Sequence, residues 1–295
     1  FDELIPLLRP TYEDIQHISD FLLKTTNHRP KIAVICGSGL GGLADVVQEQ
    51  DVIDYSDIPN FPKSTVQGHR GRLVFGHLAG KTVVCMQGRF HQYEGYPLWK
   101  VAMPVRVFKM IGVETLFVTN AAGGLNSGYT IDDIMIIKDH ISMPGLTTDN
   151  PLKGSTNERF GNPIPPVSEL YDRELRELAM SVAGGLGLGQ AVREGVLVQV
   201  GGPSFDTVSV FKLLRRLGAD CVGMSSAPEV TVARHCGIRV FGLSLVTDMA
   251  PMESDLPPTN HLEILETAQT RALDVQKLIC EMIKQLPNNN DSIRP

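Results

Sequence analysis

Three side chains that suit an anion-binding site stand at alternate positions along one segment of the sequence. Arg89, His91 and Tyr93 follow the apolar run TVVCMQ, which has the composition of a β-strand. In an extended chain alternate residues point to the same side, so these side chains would share one face. Arginine offers a forked pair of donors to a phosphate, and histidine offers a donor that titrates near neutral pH. The segment therefore favours an oxyanion site, although isolated surface arginines and histidines would explain it equally well.

Two glycine-containing loops offer further hydrogen-bond donors. His69 lies in the string GHRG, either as a third donor or as a solvated loop histidine. The string GSGLGG follows the strand-like run KIAVIC and matches the dinucleotide fingerprint through Gly37, Gly39 and Gly42. Only LADVVQEQ separates these glycines from the next strand-like run, which is short for a helical crossover. We therefore favour a loop whose backbone N–H groups and Ser38 hydroxyl bind a smaller anion, with a plain strand-exit turn as the alternative.

Two more segments place small or capping residues where α/β proteins bind ligands. NAAGG at 120–124 follows the strand-like run TLFVTN, and small residues at a strand end allow a ligand to approach the backbone. In MSSAPE, Ser226 and Glu229 have the spacing of a helix capping box. This places Ser225 beside the unpaired N–H groups of a helix N-terminus, which attract anions. Turn geometry alone would also explain the glycines of the first segment.

The sequence does not indicate a metal centre or a P-loop. It contains neither H-E-x-x-H nor a Cys-x-x-Cys pair, and His235 and Cys236 lack partners at metal-ligand spacing. GHLAGKT resembles a P-loop, but three residues rather than four lie between Gly76 and Gly80. Because this string also lies between two strand-like runs, we expect it to form the tip of a β-hairpin.

Short β-branched runs separated by helical patterns indicate an α/β fold. The runs cover 31–36, 72–76, 82–87, 115–120, 134–138, 196–200 and 238–246, and helices are expected over 11–24 and 261–284. KIAVIC does not alternate polar with apolar residues, which is typical of a strand covered on both faces. Without a linker or an internal repeat, the sequence predicts one domain over 1–295, with its core at about 30–285 and a frayed tail over 287–295.

Composition excludes several kinds of partner. The chain has 27 Lys and Arg against 33 Asp and Glu, a net charge of −6, so no overall basic field attracts nucleic acid or anionic lipid. No apolar run reaches the roughly 18 to 20 residues of a membrane span. Its five cysteines are odd in number and scattered, which favours a reducing, cytoplasmic environment. We therefore expect a cytoplasmic protein that acts on small molecules.

Seven strings, in this order, give the chain a strong resemblance to the trimeric, low-molecular-mass purine nucleoside phosphorylases: GSGLGGL, FPKSTVQGHRGRLVFG, GRFHQYEGYPLWKVAMPVRVF, TNAAGGLN, GPSFDT, VGMSSAPEVTVARHCG and SLVTD. The resemblance implies a single-domain α/β fold with a mixed, partly barrel-like β-sheet flanked by helices. It also implies a homotrimer whose neighbouring subunit completes each site. The implied reaction is phosphorolysis of purine ribonucleosides or deoxyribonucleosides to free base and α-pentose 1-phosphate. Phosphate is then a co-substrate, and no metal or organic cofactor is required.

The same resemblance assigns roles to individual residues. It implies that the phosphate ligands are Ser38, His69, Arg89, His91, the backbone N–H of Ala121, and Ser225. It implies that the ribose contacts are Tyr93, Met224, His261, which would reach the 5′-hydroxyl, and Phe160, lent by the neighbouring subunit. The implied base pocket consists of Phe205, Asp206, Val222, Thr247 and Asp248. Of all these, His91 and Asp248 are the expected catalytic residues.

Two positions of the base pocket depart from the family. Asp206 stands where the family has a purine-binding Glu, and Asp248 stands where it has an Asn. An ionised Asp248 only accepts hydrogen bonds, so it would disfavour a 6-oxo group and favour an amino group. We therefore expect a base range broadened towards adenosine or cytidine.

Two alternative activities stay open at this point. One is methylthioadenosine phosphorylase, which resembles this chain in having an Asp after the same Thr. His261 and Ala250 argue against it, since that family has an apolar residue and a second Asp at these positions. The other is a catalytically weak nucleoside-binding paralogue, which would explain the altered base residues but not the intact phosphate ligands.

Overall fold

Nine strands form one sheet in the residues that the computed structural model describes, 9–154, 157–162, 164–166, 168–253 and 261–287, of which 261–263 are described without their side chains. The strands are β1 (Ile32–Cys36), β2 (Gln48–Asp54), β3 (Arg72–Leu78), β4 (Lys81–Gln87), β5 (Thr115–Gly124), β6 (Ile134–Ser142), β7 (Val192–Gln199), β8 (Cys221–Gly223) and β9 (Arg239–Met249). The helices are α1 (Tyr12–Thr25), α2 (Gly42–Asp45), α3 (Leu98–Val101), α4 (Met103–Met110), α5 (Met143–Leu146), α6 (Arg173–Gly185), α7 (Val208–Arg216), α8 (Ala227–His235) and α9 (His261–Gln285).

Five of these strands close into a barrel. β5, β8, β7, β6 and β9 are hydrogen-bonded in that order, and β9 pairs again with β5. β1, β4, β3 and β2 extend the sheet outward from β5 as an open wing. Parallel and antiparallel pairs are mixed, since β5 runs parallel to β1 and β9 but antiparallel to β8. The expected single-domain α/β fold with a mixed, partly barrel-like sheet is confirmed.

β1 shows why helices cover both faces of the wing. All five of its residues are buried, and alternate side chains join different apolar cores. Ala33 and Ile35 join the core that also contains side chains of α1, α4 and α8. Ile32, Val34 and Cys36 join the core that contains side chains of α6 and α9. The prediction of a strand covered on both faces is confirmed, and it explains the unbroken apolar run.

The first and last helices begin and end close to their predicted limits. Thr11 caps α1 through a reciprocal pair of hydrogen bonds, in which its hydroxyl accepts from the N–H of Asp14 (3.1 Å) and its own N–H donates to the Asp14 carboxylate (2.7 Å). α9 runs from His261 to Gln285, one residue beyond the predicted end at 284. Apart from Pro287, the expected frayed tail lies outside the described residues. Among the described helices, none is both long and apolar enough to cross a membrane.

All seven predicted strands are present. The structure adds β8, and it adds β2, which extends the strand-like run VIDY towards the N-terminus. GHLAGKT is confirmed as a hairpin: Ala79 and Gly80 join β3 to β4 with φ of 51° and 79°, the left-handed conformation of a tight two-residue turn. β2 begins at Gln48, well before the strand-like run VIDY, and Ile53 is its single buried residue. Its pairing with β3 therefore leaves almost no hydrophobic pattern in the sequence.

The turn after β1 lies directly against the backbone of β5. A Cβ atom on Gly37 would be 2.5 Å from the carbonyl oxygen of Thr119 and 2.8 Å from the Cα of Asn120. The Gly37 N–H also donates to the Thr119 hydroxyl (3.0 Å), which in turn donates to the carbonyl of Ile35 (3.0 Å). Glycine is required here because two backbones meet without room for a side chain.

We predict that Gly37→Ala lowers the free energy of unfolding by about 1 to 3 kcal/mol, because backbone atoms cannot move aside as a flexible side chain can. Gly42→Ala is the matched control, since a Cβ there meets nothing within 4 Å. Urea unfolding of both variants measures the difference. Equal stability of the two variants would show that the contact between the β1 turn and β5 is not tight.

Candidate active site

A cavity of about 400 Å³ opens near the carboxyl ends of β1, β4, β5, β7 and β9. The mutually parallel strands β1, β4, β5 and β9 end there on the same side of the sheet, and residues that follow β7 and β8 complete the wall. The cavity is lined by most of the residues singled out in the sequence: Ser38, Arg89, His91, Tyr93, Ala121, Phe205, Asp206, Val222, Met224, Ser225, Thr247 and Asp248. The structure therefore brings together residues far apart in the sequence.

Ser38 lines one end of this cavity, and the predicted ligand His69 contacts Ser38 without lining the cavity itself. Nδ1 of His69 lies 3.2 Å from the backbone nitrogen of Arg89 and 3.3 Å from its carbonyl oxygen, so it can accept from the first or donate to the second. Nε2 lies 3.2 Å from the Ser38 hydroxyl oxygen and can donate to it. Burial, together with the nearby His91 and Arg89, lowers the pKa of His69 from its usual 6.5 to about 4. His69 is therefore neutral at physiological pH, and its ring can still donate one hydrogen bond.

His91 is fixed by a carboxylate that the sequence analysis did not single out. Its backbone N–H and its ring Nδ1 both approach Oε1 of Glu94, at 2.8 and 3.0 Å. The other Glu94 oxygen accepts from the N–H and the hydroxyl of Thr65, at 2.8 and 2.7 Å. Burial lowers the pKa of His91, although the hydrogen bond to Glu94 opposes this. Since Nδ1 is committed to Glu94, a ligand would meet Nε2.

Glu94 therefore ties the loop before β3 to the segment after β4. The two histidines and Tyr93 stack in sequence, with ring centroids 5.4 Å apart for His69 and His91 and 4.5 Å apart for His91 and Tyr93. The backbone turns into a 3-10 helix at Gln92 rather than continuing extended. Nevertheless Arg89, His91 and Tyr93 all line the cavity, as their alternate spacing predicted.

Arg89 is the most deeply buried charged side chain of the cavity wall, with 1% of its surface exposed. Its Nη1 donates to the carbonyl of Thr119 (2.6 Å) and to the hydroxyl of Ser225 (3.2 Å). Its Nε donates to Oε1 of Glu229 (3.0 Å), a residue that is 2% exposed. A charge removed from water requires such partners, since isolated burial costs several kcal/mol. The guanidinium is therefore held in one orientation.

The expected capping box of Ser226 and Glu229 is wrong. Ser226 precedes α8 but makes no side-chain cap, and its backbone has φ of 85°. Its hydroxyl instead accepts from the Asn120 side-chain amide (2.9 Å). Glu229 faces Arg89, which is 140 positions away in the sequence. The local spacing suggested a helix cap, whereas the tertiary fold provides a stronger, charged partner.

The other end of the cavity carries two carboxylates and an exposed aromatic ring. Thr247 donates from its hydroxyl to Oδ1 of Asp248 (3.1 Å). Asp248 of β9 is paired with Gly123 of β5 in the sheet. A Cβ atom on Gly123 would lie 3.2 Å from Oδ2 of Asp248. Burial raises the pKa of Asp206. Phe205 is 44% exposed, so this end is more open than the end that holds Arg89.

One assigned ribose contact does not line this cavity in the single chain, and the side chain of another is not described. Phe160 is 6% exposed and packs on Tyr12 (centroids 4.9 Å apart) below the Arg106 guanidinium (4.8 Å). It lines a different cavity, so its role in a neighbouring subunit stays a prediction. His261 is the first residue of α9, but its side chain lies outside the described residues. Across the described part of the chain, no three His, Cys, Asp or Glu side chains are grouped to hold a metal ion.

Comparison with known proteins agrees with this arrangement. A family model described as the Phosphorylase superfamily matches residues 31–284. Purine nucleoside phosphorylase of Bos taurus is 52% identical over 278 residues, which cover 94% of this chain and 96% of the relative.

Solved structures are similar in fold as well as in sequence. The crystal structure of Schistosoma mansoni purine nucleoside phosphorylase in complex with adenosine has 48% identity and a TM-score of 0.90, over 94% of this chain and 98% of that chain. Isoform 2 of the Schistosoma mansoni enzyme, in complex with cytosine and ribose-1-phosphate, has 42% identity and a TM-score of 0.91, over 95% of this chain and 98% of that chain.

These similarities cover the whole sheet and every strand that ends at the cavity. They do not favour the alternatives of a methylthioadenosine phosphorylase or a weak nucleoside-binding paralogue. With identity near one half over almost the entire chain, the protein belongs to the phosphorylase superfamily, among its purine nucleoside phosphorylases.

Proposed function

We propose that the cavity holds a purine nucleoside and inorganic phosphate side by side and transfers the pentose from the base to phosphate. The observation that carries this proposal is the division of one cavity into two ends. Ser38, Arg89 and Ser225 gather donors at one end, where His69 contacts Ser38 from behind the wall, while Asp206 and Asp248 offer acceptors at the other. A nucleoside between them would place its sugar against phosphate and its base against the carboxylates.

The chemistry explains why donors are needed at one end and polar partners at the other. A phosphate oxygen attacks the anomeric carbon while the C–N bond to the base breaks, so the sugar acquires oxocarbenium character. The phosphate dianion beside it stabilises this positive charge, and Arg89 with the Ser and His donors holds the dianion in place. Direct displacement inverts the anomeric carbon, so a β-nucleoside gives an α-pentose 1-phosphate. The proposal uses inorganic phosphate as co-substrate and calls on no metal or organic cofactor.

The experiment that tests this function measures pentose 1-phosphate and free base with and without phosphate. We expect both products only when phosphate is present, because the nucleophile is a phosphate oxygen. Release of free ribose in its absence would show hydrolysis and contradict the proposal.

We further propose that His69 and His91 become charged when the anion binds. Burial lowers the pKa of both rings in the free protein, and His69, with a pKa of about 4, is neutral near pH 6. A dianion beside the rings favours their charged form and raises each pKa. Between the free and bound pKa values, binding must therefore take up protons.

Sulfate tests this prediction, because it matches the shape of phosphate but does not itself titrate near pH 6. We expect calorimetric titration in buffers of different ionisation enthalpy to show net proton uptake. His69→Asn keeps a donor but cannot titrate, and should take up fewer protons than the parent. A binding enthalpy that does not depend on the buffer would contradict the prediction.

The base end supports a broadened base range as part of the proposal. Asp248 occupies the position at which the family resemblance implies an Asn, and Asp206 stands in place of a longer Glu. A carboxylate accepts from an amino group but repels a 6-oxo oxygen. The related Schistosoma mansoni proteins have been crystallised with adenosine and, for isoform 2, with cytosine. We therefore propose that adenosine and cytidine are accepted beside the 6-oxopurine nucleosides.

Asp248→Asn should raise the ratio of kcat/KM for inosine to that for adenosine by at least about tenfold. An Asn amide can donate to the 6-oxo group, whereas the charge-assisted hydrogen bond from an amino group to the Asp248 carboxylate, about 1.5 to 3 kcal/mol, is lost. Cytidine should follow adenosine. Asp54→Asn, at an exposed position of β2, controls for the change in net charge. An unchanged ratio would remove Asp248 from base selection.

We also propose that the active form is a cytoplasmic homotrimer in which Phe160 completes a neighbouring site. All five cysteines are unpaired, which suits a reducing compartment. Sedimentation should give a trimer, and Phe160→Leu should weaken nucleoside binding. Mixing Phe160→Leu with Arg89→Ala subunits and reassembling them should restore activity, because some mixed sites then contain both native residues. An active monomer, or no restoration on mixing, would contradict the proposal.

A further inference from the structure

We infer that Glu229 is the positioning residue that sets the orientation of Arg89 for phosphate. Neither the expected capping role nor any contact with substrate explains this carboxylate. Glu229 lies in the first turn of α8 and is 2% exposed, yet it does not line the cavity. Its one ion pair in the described part of the chain is with Arg89, from Oε1 to Nε at 3.0 Å. It therefore acts on the site through Arg89.

The geometry of the guanidinium shows what this ion pair controls. Nη1 donates to the Thr119 carbonyl and to the Ser225 hydroxyl, which leaves Nη2 as the nitrogen with no hydrogen-bond partner among the described residues and so available to a phosphate. These bonds alone leave the plane of the guanidinium free to tilt about Nη1. The bond from Nε to Glu229 supplies the second fixed point and removes this freedom. A guanidinium whose N–H donors are already held in place loses less conformational entropy when phosphate binds.

The position of the carboxylate oxygen matters more than its charge. A negative charge beside Arg89 lowers the positive potential that attracts phosphate, so charge alone would weaken binding. What Glu229 contributes is an acceptor at the correct distance from Nε. Its second oxygen, Oε2, is buried and has no hydrogen-bond partner in the described part of the chain. An amide nitrogen at that position would displace no hydrogen bond.

Two conservative variants separate the two effects, and both keep a polar group in place of the carboxylate. Glu229→Gln keeps the acceptor position and removes the charge, so we expect a phosphate KM at or below the parent value. Glu229→Asp keeps the charge but withdraws the acceptor by one methylene, so we expect phosphate KM to rise about tenfold or more. The nucleoside KM should change little in either variant. Asp133→Asn is the control, since Asp133 is also a buried carboxylate paired with an arginine, Arg193, away from the cavity.

The inference rests on the proposed function only for its kinetic readout, so binding of inorganic phosphate is also measured directly, as the rise in melting temperature of each variant. Glu229→Asp should lose most of the shift, and Glu229→Gln should keep it. The inference is overturned if Glu229→Asp retains the parent phosphate KM and shift, or if Glu229→Gln loses them to the same extent. A parent protein without phosphate-dependent activity would instead refute the proposed function.

Discussion

The structure depends on keeping one guanidinium ion out of bulk water where three elements meet. Arg89 follows β4, its Nη1 donates to a carbonyl of β5, and its Nε donates to the carboxylate of Glu229 in α8. Removing a charge from water is costly, and the cost is offset only when every partner is correctly placed. The relative positions of β4, β5 and α8 are therefore tied to one another. The closed barrel and the packed cores hold them in that relation.

The two ends of the cavity differ in how firmly they are built. The end around Arg89 is buried and is cross-linked by hydrogen bonds, including those of Glu94 to Thr65 and His91. The end around Asp206 and Phe205 is more open. This difference suits the chemistry, since the nucleophile is the same in every reaction whereas the base varies. If the two ends bind phosphate and base as we propose, substitutions at the more open end can change selectivity without disturbing the hydrogen-bond network around Arg89.

Much of this arrangement follows from the sequence because it depends on local patterns. The apolar run of β1 predicted a strand covered on both faces, and alternate spacing predicted that Arg89 and His91 share one wall. The roles of Glu94 and Glu229 were not predicted, because their contacts form in the tertiary fold and leave no periodic pattern in the sequence. The Ser226 pattern was misleading, because a capping box and a buried ion pair have the same local sequence. β2 was not fully predicted, because only one of its side chains is buried and its sequence therefore lacks an alternating apolar pattern.

β5 belongs to both parts of the sheet, since it pairs with β1 on the wing side and with β8 and β9 in the barrel. Asn120 lies near the phosphate end of the cavity, and Gly123 lies beside Asp248 at the base end. Three residues of extended chain span about 10 Å. β5 therefore fixes the distance between the two ends of the cavity, at which we propose that the nucleophile and the leaving base are bound. A substrate with a longer spacer than a pentose could contact one end of the cavity but not both ends at the same time.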